Sequence, residues 1–445
     1  MAGDGYAGEL DLSAPREIHI VGLAGVAMSA IALLLARLGH RVSGSDIKDT
    51  PQLARLEAAG VTVHIGNRAE YVPPHADAVI YSTAIPENNV ELVAARSLGI
   101  PVLHRSLAQA AIAATRRTIA VAGSHGKTTT SSMLALVLRA AGWQPSFFVG
   151  GELNEVGTNA AVGDGEWFVV EADESDGTFL QLAPEAAMVT NIEPDHLDYY
   201  GDFDTLVAAF ERFVDAVPGA VVMGADDEVA ARLARSHPAV RTYGLAEGAD
   251  YRMVGLRTET NTYAFTLAHD GAAVGEIVVP LGVMAATNSA GAAAMALEIG
   301  VPFDAIRQAL RGFGGVARRF QYRGERDGVT FVDDYAHLPT EVAAAIQTAR
   351  QGGWEHVIVV FQPHRYTRTA ALGADFADAF TGADAVVVTD VYAAGETPIA
   401  GVSGRLVAQA AADRHPELPL SYVPGRAELV DVPARFARRG DVVLT

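Results

Sequence analysis

The sequence predicts an α/β protein of three domains. Three observations carry this: short apolar strands alternate with helical stretches at both ends of the chain, two glycine-rich turns each follow such a strand, and Asp250 to Pro280 alternates apolar and polar residues with few helix signals. At 445 residues the chain is too long for one ordinary core, and length alone gives two to four domains.

The elements follow in order. Ile18–Val21 reads as a strand, followed by a small-residue turn, a helical stretch to about Leu38, and a second strand ending at Ser45 and Asp46. Ala78–Tyr81 and Ile100–Leu103 continue this doubly wound, Rossmann-like pattern. A new apolar strand, Thr118–Ala122, enters a second glycine loop and a helix, and strands near Trp167–Val170 and Ala187–Thr190 extend that domain. It is expected to be P-loop ATPase-like, with antiparallel β added over 250–280 and a small-residue helix at Ala285–Ile299 packed closely on a neighbour. Near Arg323 the pattern restarts: Val329–Val332, His356–Val360, Ala385–Thr389 and Asp441–Leu444 are strands separated by helices, a second Rossmann-like unit. Boundaries near 115 and 322 give domains of 1–115, 116–322 and 323–445.

Composition narrows the function. The chain has no cysteine, so disulfides, thiolate metal sites and thiol catalysis are excluded. A net charge of −20 argues against nucleic-acid and anionic-membrane binding. No apolar run reaches the roughly 18–20 residues that span a bilayer, and the opening MAGDGYAGELDLSAPRE has no secretory pattern, so a cytoplasmic protein is expected. Lysine occurs only at Lys48 and Lys127 in a chain that otherwise uses arginine for its cations. A lysine here suggests a task that arginine would not do.

The chemistry-bearing motifs follow strands. Gly123, Ser124, His125, Gly126, Lys127, Thr128 and Thr129 form a loop between a strand and a helix. Glycines let backbone N–H groups turn onto phosphate oxygens, the helix N-terminus adds partial positive charge, Lys127 reaches the β/γ-phosphates, and the Thr128 hydroxyl suits Mg²⁺. Glu171, Asp173, Glu174 and Asp176 crowd four carboxylates into six residues, which repel unless a cation sits among them. Asn191 to Asp198 follows another strand and offers His196 as a ligand. In the third domain, Asp333 to His337 and Phe361 to Arg368 each follow a strand, and Arg365 and Arg368 could grip a carboxylate through paired hydrogen bonds. Val21 to Met28 resembles a dinucleotide-binding turn, with Gly22 and Gly25 kept and Asp46 ending the second strand.

In this order the motifs resemble those of the Mur ligases of peptidoglycan synthesis. The strings are HIVGLAGVAMSAIA, SGSD, STAIPENN, GSHGKTTT, EADESDGTF, NIEPDHLDYYG, GVARRF, VDDYAHLPTEV and FQPHRYTRT. The resemblance implies ATP-dependent joining of a carboxylate to an amine through an acyl phosphate, with ATP and Mg²⁺, UDP-N-acetylmuramate as acyl donor and L-alanine as amine. It implies that Gly22, Ala24, Gly25, Ala27, Asp46 and Ser82 face the UDP-sugar. Thr128 and Glu171 would hold one Mg²⁺, and Glu171 with His196 the second. Lys127 would stabilise the transferring phosphoryl group, with Arg319 near it, Asn288 facing the adenine and Asp334 the ribose. His337, Arg365 and Arg368 would surround the amino acid. The carbamylated lysine that several Mur ligases use is absent, since no lysine follows Lys127.

Four features depart from the family pattern: Ala24 and Ala27 replace glycines, Met284 and Leu338 replace histidines, and the pattern normally continues past Asp441–Leu444 with a further turn and helix. A third domain short of its last element is therefore expected. Two other readings stand beside the first. One is a related ligase with another acyl donor or amine. The other is a nucleotide-binding oxidoreductase or silent ATP-binding regulator, suggested by the first glycine turn and Asp46. A monomer or homodimer is expected.

Overall fold

The computed structural model describes residues 10–259, 262–282 and 284–445, so the first nine residues of the opening read above lie outside the described residues. Three sheets organise the chain. The first has five parallel strands in the order Thr62–Ile65, Arg41–Asp46, Glu17–Val21, Ala78–Tyr81, Val102–His104. Strand order reverses between Glu17–Val21 and Ala78–Tyr81, and the carboxyl edge at such a reversal is where doubly wound sheets open a crevice. The helix Val26–Arg37 packs Ile31, Leu34 and Leu35 onto this sheet, each fully buried.

The second sheet has ten strands and carries the glycine loop at its centre. Arg117–Ala122 lies between Trp167–Glu171 and Ala186–Val189, all parallel, so the loop and the two acidic segments leave from one carboxyl edge. The predicted antiparallel stretch is a meander of Tyr251–Glu259, Thr262–His269 and Ala272–Pro280 at one border. Strands not anticipated complete the sheet: Val221–Gly224 and Arg241–Gly244 on one side, the hairpin Ser146–Leu153 and Thr158–Ala161 on the other. Small residues let the helix Ala285–Glu298 lie close on this sheet and on the helix Lys127–Ala140, with Ala290, Ala292, Ala293, Ala294 and Ala296 fully buried.

The third sheet runs Gln321–Arg326, Val329–Asp333, Val442–Leu444, Val357–Phe361, Ala385–Val388, Leu420–Tyr422, with only the first pair antiparallel. Its middle strands read as unbroken apolar runs because a parallel sheet is covered on both faces. Tyr263 donates from its hydroxyl to Gln351 at 2.6 Å, one of several bonds between the second and third units. The boundary near 115 falls between the first and second sheets, whereas 322 falls inside the strand Gln321–Arg326, so we propose to place the second boundary just before Gln321. Among the described residues no helix is long and apolar enough to cross a membrane.

One close approach in the core is at Gly291, where a Cβ would meet the Tyr243 ring at 2.6 Å. Helix propensity alone would make Gly291→Ala stabilising by about 1 kcal/mol, but overpacking costs about 1–3 kcal/mol. We predict a lower melting temperature for Gly291→Ala; an unchanged or raised value would show that Tyr243 yields.

Candidate active site

The glycine loop is built by two left-handed turns. Gly123 has φ 132° and Gly126 has φ 81°. A Cβ at Gly123 would stand 2.1 Å from Thr190 Oγ1, and one at Gly126 would stand 2.7 Å from Asn288 Oδ1, so side chains are barred at both. Gly126 begins the helix Lys127–Ala140 without a side-chain cap, which leaves the helix start facing the cleft as an anion-binding end. Ser124 and His125 anchor the loop to the next strand's exit. His125 N–H donates to Asn191 Oδ1 at 2.9 Å, and Asn191 Nδ2 lies 2.8 Å from His125 Nδ1. The amide donor makes Nδ1 the acceptor, so Nε2 carries the proton and donates to Glu193 Oε1 at 2.8 Å. Ser124 Oγ accepts from Glu193 N at 2.8 Å.

Lys127 is folded back. Its ammonium lies 2.6 Å from Gly123 O, 3.2 Å from Ser124 O, and 3.0 and 2.9 Å from the two Glu174 oxygens. Burial pulls this ammonium down, but Glu174, Asp173 and Glu171 outweigh it and hold its pKa above the ordinary value. Burial pushes Glu174, 1 % exposed, up to about 7 against the pull of Lys127.

The four crowded carboxylates are thereby sorted. Glu174 pairs with Lys127, while Asp173 and Asp176 lie 3.8 and 3.7 Å from Arg105. Burial would raise the Asp173 carboxyl, but Lys127 and Arg105 hold it below its ordinary range. Glu171 instead accepts from the Gly150 N–H at 2.7 Å. A Cβ at Gly150 would lie 2.6 and 2.8 Å from the Glu171 oxygens and 2.8 Å from Thr128 Oγ1. A hydroxyl and a carboxylate thus face one small space that glycine keeps open, a donor set that fits a hard divalent cation.

His196 stands apart from that cradle. Its backbone is left-handed, φ 55°, which turns the ring inward, with Nε2 3.2 Å from Asp195 Oδ2 and 3.9 Å from Glu174 Oε1. Among the described residues the carboxylates within 4 Å of it are Asp195 and Glu174, whereas Glu171 opens toward Gly150 and Thr128. Burial lowers the His196 pKa, so the ring is neutral at pH 7 and can act as a ligand.

The third domain closes over this edge. Arg368, 8 % exposed, reaches Asp195 with Nη2 3.2 Å from Oδ2 and Nε 3.3 Å from Oδ1, and its Nη1 donates to His364 Nδ1 at 3.2 Å. Thr340 Oγ1 donates to Glu193 Oε2 at 2.8 Å. Arg365, with φ 72°, lines a crevice with Pro194, His196, Leu197 and Arg368. His337 is held by Tyr335 O and Glu341, 2.9 and 3.3 Å from Nδ1. Burial lowers the pKa of His337 against the pull of Glu341, and burial lowers that of His364 to about 4. Both rings are neutral at pH 7.

Beside the loop a second crevice is lined by His125, Gly126, Thr128, Thr129, Met284, Asn288, Arg319, Asp334 and Glu341. Burial pushes Asp334 up to about 6, although Arg319 and the Phe320 and Ala336 N–H groups favour its charged form. The first-domain residues lie on a separate edge. Gly22, φ 84°, and Leu23 donate to Ser45 O, and Gly25 starts the helix that contains Ala27. Ser82 O accepts from Ile85 N at 2.9 Å. Asp46 braces this turn, accepting from Ala24 N and Lys48 N, each at 2.9 Å. Its carboxylate thus orders the turn through backbone N–H groups.

Glu174, Asp195, Glu193 and His364 were quoted within motifs but not singled out, because their roles come from neighbours far along the chain. Gly150 gave no signal in the sequence beyond being one of a pair of glycines. Gly150→Ala should weaken Mn²⁺ binding, read by calorimetry with nucleotide present, by about tenfold or more, with the melting temperature nearly kept. Unchanged Mn²⁺ affinity would remove the cation from this cradle.

Comparison with known proteins agrees along the whole chain. Three family descriptions match in series: Mur ligase family, catalytic domain, at residues 17–117; Mur ligase middle domain at 121–296; and Mur ligase, glutamate ligase domain, at 318–445. A UDP-N-acetylmuramate–L-alanine ligase of Rubrobacter xylanophilus is 47 % identical over 439 residues, 96 % of each chain. One of Pelotomaculum thermopropionicum is 44 % identical over 436 residues, 97 % of this chain and 94 % of that one. The crystal structure of UDP-N-acetylmuramate-alanine ligase from Thermotoga maritima superposes with a TM-score of 0.81 at 29 % identity, covering 96 % of this chain and 95 % of that one. With its three units in this order and this identity over nearly its full length, the chain belongs to the Mur ligase family.

Proposed function

We propose that the protein is a cytoplasmic, ATP-dependent UDP-N-acetylmuramate–L-alanine ligase that forms ADP and phosphate in peptidoglycan precursor synthesis. One observation carries the reading above the others: the glycine loop with Lys127, the cation cradle of Thr128 and Glu171, and Arg368 from the third domain all meet at one edge of the central sheet. The relatives' names supply the substrates. The oxidoreductase reading is dropped, since hydride transfer has no use for this loop and cradle, and the relatives' names count against the silent-regulator reading. The buried Leu338 and the Asp46-braced turn give no reason to prefer another acyl donor.

The chemistry follows from charge. A carboxylate is a poor acyl donor because its leaving group would be oxide. Attack by that carboxylate on the γ-phosphorus converts the leaving group into phosphate, and the amine then displaces it. The protein's share is positioning and neutralisation of developing charge. Backbone N–H groups of 124–129 and the Lys127 ammonium receive the phosphates. Thr128 and Glu171 would hold one Mg²⁺, which would neutralise the phosphate oxygens; His196 would take part in a second site. Asn288, Arg319 and Asp334 line the nucleotide side. Gly22, Ala24, Gly25, Ala27, Asp46 and Ser82 form the UDP-sugar turn. Arg368, with Arg365, binds the amino-acid carboxylate, and neutral His337 is available for the proton the amine loses.

Phosphate release from ATP should require Mg²⁺, UDP-N-acetylmuramate and L-alanine together. Release without the sugar nucleotide, or equal release with other amino acids, would overturn the substrate assignment. Arg368→Ala should raise KM for L-alanine roughly ten- to hundredfold, the loss of one charge-assisted hydrogen-bonded pair, with a far smaller effect on KM for ATP. Equal losses for both would make Arg368 a purely structural clasp.

A further inference from the structure

Glu174 has a task that the ligase chemistry above does not use. Its carboxylate is 1 % exposed and touches the Lys127 ammonium through both oxygens at 3.0 and 2.9 Å. The same ammonium donates to Gly123 O at 2.6 Å and Ser124 O at 3.2 Å. A lysine ammonium has three N–H donors, and here all of them point at groups of the protein's own loop and wall. None remains for a phosphate. Glu174 is itself fixed from behind: its carbonyl accepts from the Tyr200 hydroxyl at 2.6 Å and from Gly177 N at 3.0 Å. The segment that follows the strand Trp167–Glu171 is therefore pinned, and it holds the carboxylate where an arriving anion would seek the lysine.

We infer that Glu174 is a positioning residue that keeps Lys127 docked on the glycine loop in the nucleotide-free enzyme and competes with the incoming phosphates for it. The inference rests on the reading of 123–130 as the phosphate loop. Two consequences follow from the geometry. A lysine alone among buried walls would wander or leave its loop; paired with Glu174 it waits within reach of its working position. Binding a nucleotide must break a buried ion pair, so part of the intrinsic affinity of the loop is offset by that cost. An arginine could not play this part as well, because a planar fork would grip the carboxylate bidentately and release it less readily. This gives a reason for the isolated lysine in an arginine-rich chain.

The test is calorimetric titration of ADP without divalent cation, on the full chain, with melting and circular dichroism to verify the fold. Glu174→Gln keeps the side-chain shape and removes the competing charge; it should bind ADP about tenfold tighter than wild type. Glu174→Asp, which keeps the charge but withdraws it by one methylene, should fall between the two, and it stands in if the glutamine variant does not fold. In a Lys127→Met background the tightening from Glu174→Gln should vanish, because the competition needs the lysine. Unchanged or weaker ADP binding by folded Glu174→Gln overturns the inference. Tightening that persists without Lys127 also overturns it, as simple repulsion of phosphate by Glu174. If wild type binds no adenine nucleotide at any concentration tried, the phosphate-loop reading itself fails, and the inference with it.

Discussion

Buried charge at one edge of the central sheet is the constraint on which the rest of the structure depends. Lys127 and Arg368 are almost withdrawn from water, and each is held by a carboxylate from the segment after a neighbouring strand, Glu174 and Asp195. Ions so placed are costly unless paired. The parallel order of Trp167–Glu171, Arg117–Ala122 and Ala186–Val189 delivers the three segments side by side, and the glycines of the loop let them approach. Hydrophobic packing builds the sheets; pairing of these charges decides how their edges meet.

The same pairs join the domains. Asp195 and Glu193, two residues apart on one loop, clasp Arg368 and Thr340 of the third domain, while Glu193 also accepts a hydrogen bond from His125 of the glycine loop. A change at the phosphates therefore has a short, hydrogen-bonded route to the third domain. Arg368 rests on an internal carboxylate in the way Lys127 does, so both buried cations are paired within the protein.

Much of this was legible in sequence because glycine, lysine and apolar runs report local rules. Thr118–Ala122 was read almost as the strand Arg117–Ala122 because an unbroken apolar run ending in glycine has few other meanings. Ala285–Ile299 was read as a close-packed helix from its small residues, and Gly291 against Tyr243 bears this out. The hairpin Ser146–Leu153 and Thr158–Ala161 was missed because its glycines and polar residues look like loop, and Val221–Gly224 because four residues give no periodicity. The division of labour among Glu171, Asp173, Glu174 and Asp176 could not be read at all. It depends on Arg105 and Lys127, brought in from other elements.

The central claim is that this buried edge serves to phosphorylate a carboxylate. The most direct measurement is mass analysis of the phosphate released when the sugar-nucleotide carboxylate carries ¹⁸O. Attack of that carboxylate on the γ-phosphorus leaves one labelled oxygen on the phosphate when the amine displaces it, and this account predicts one ¹⁸O in each phosphate released. Unlabelled phosphate, with amide still forming, would contradict it and require the amide bond to be made without an acyl phosphate.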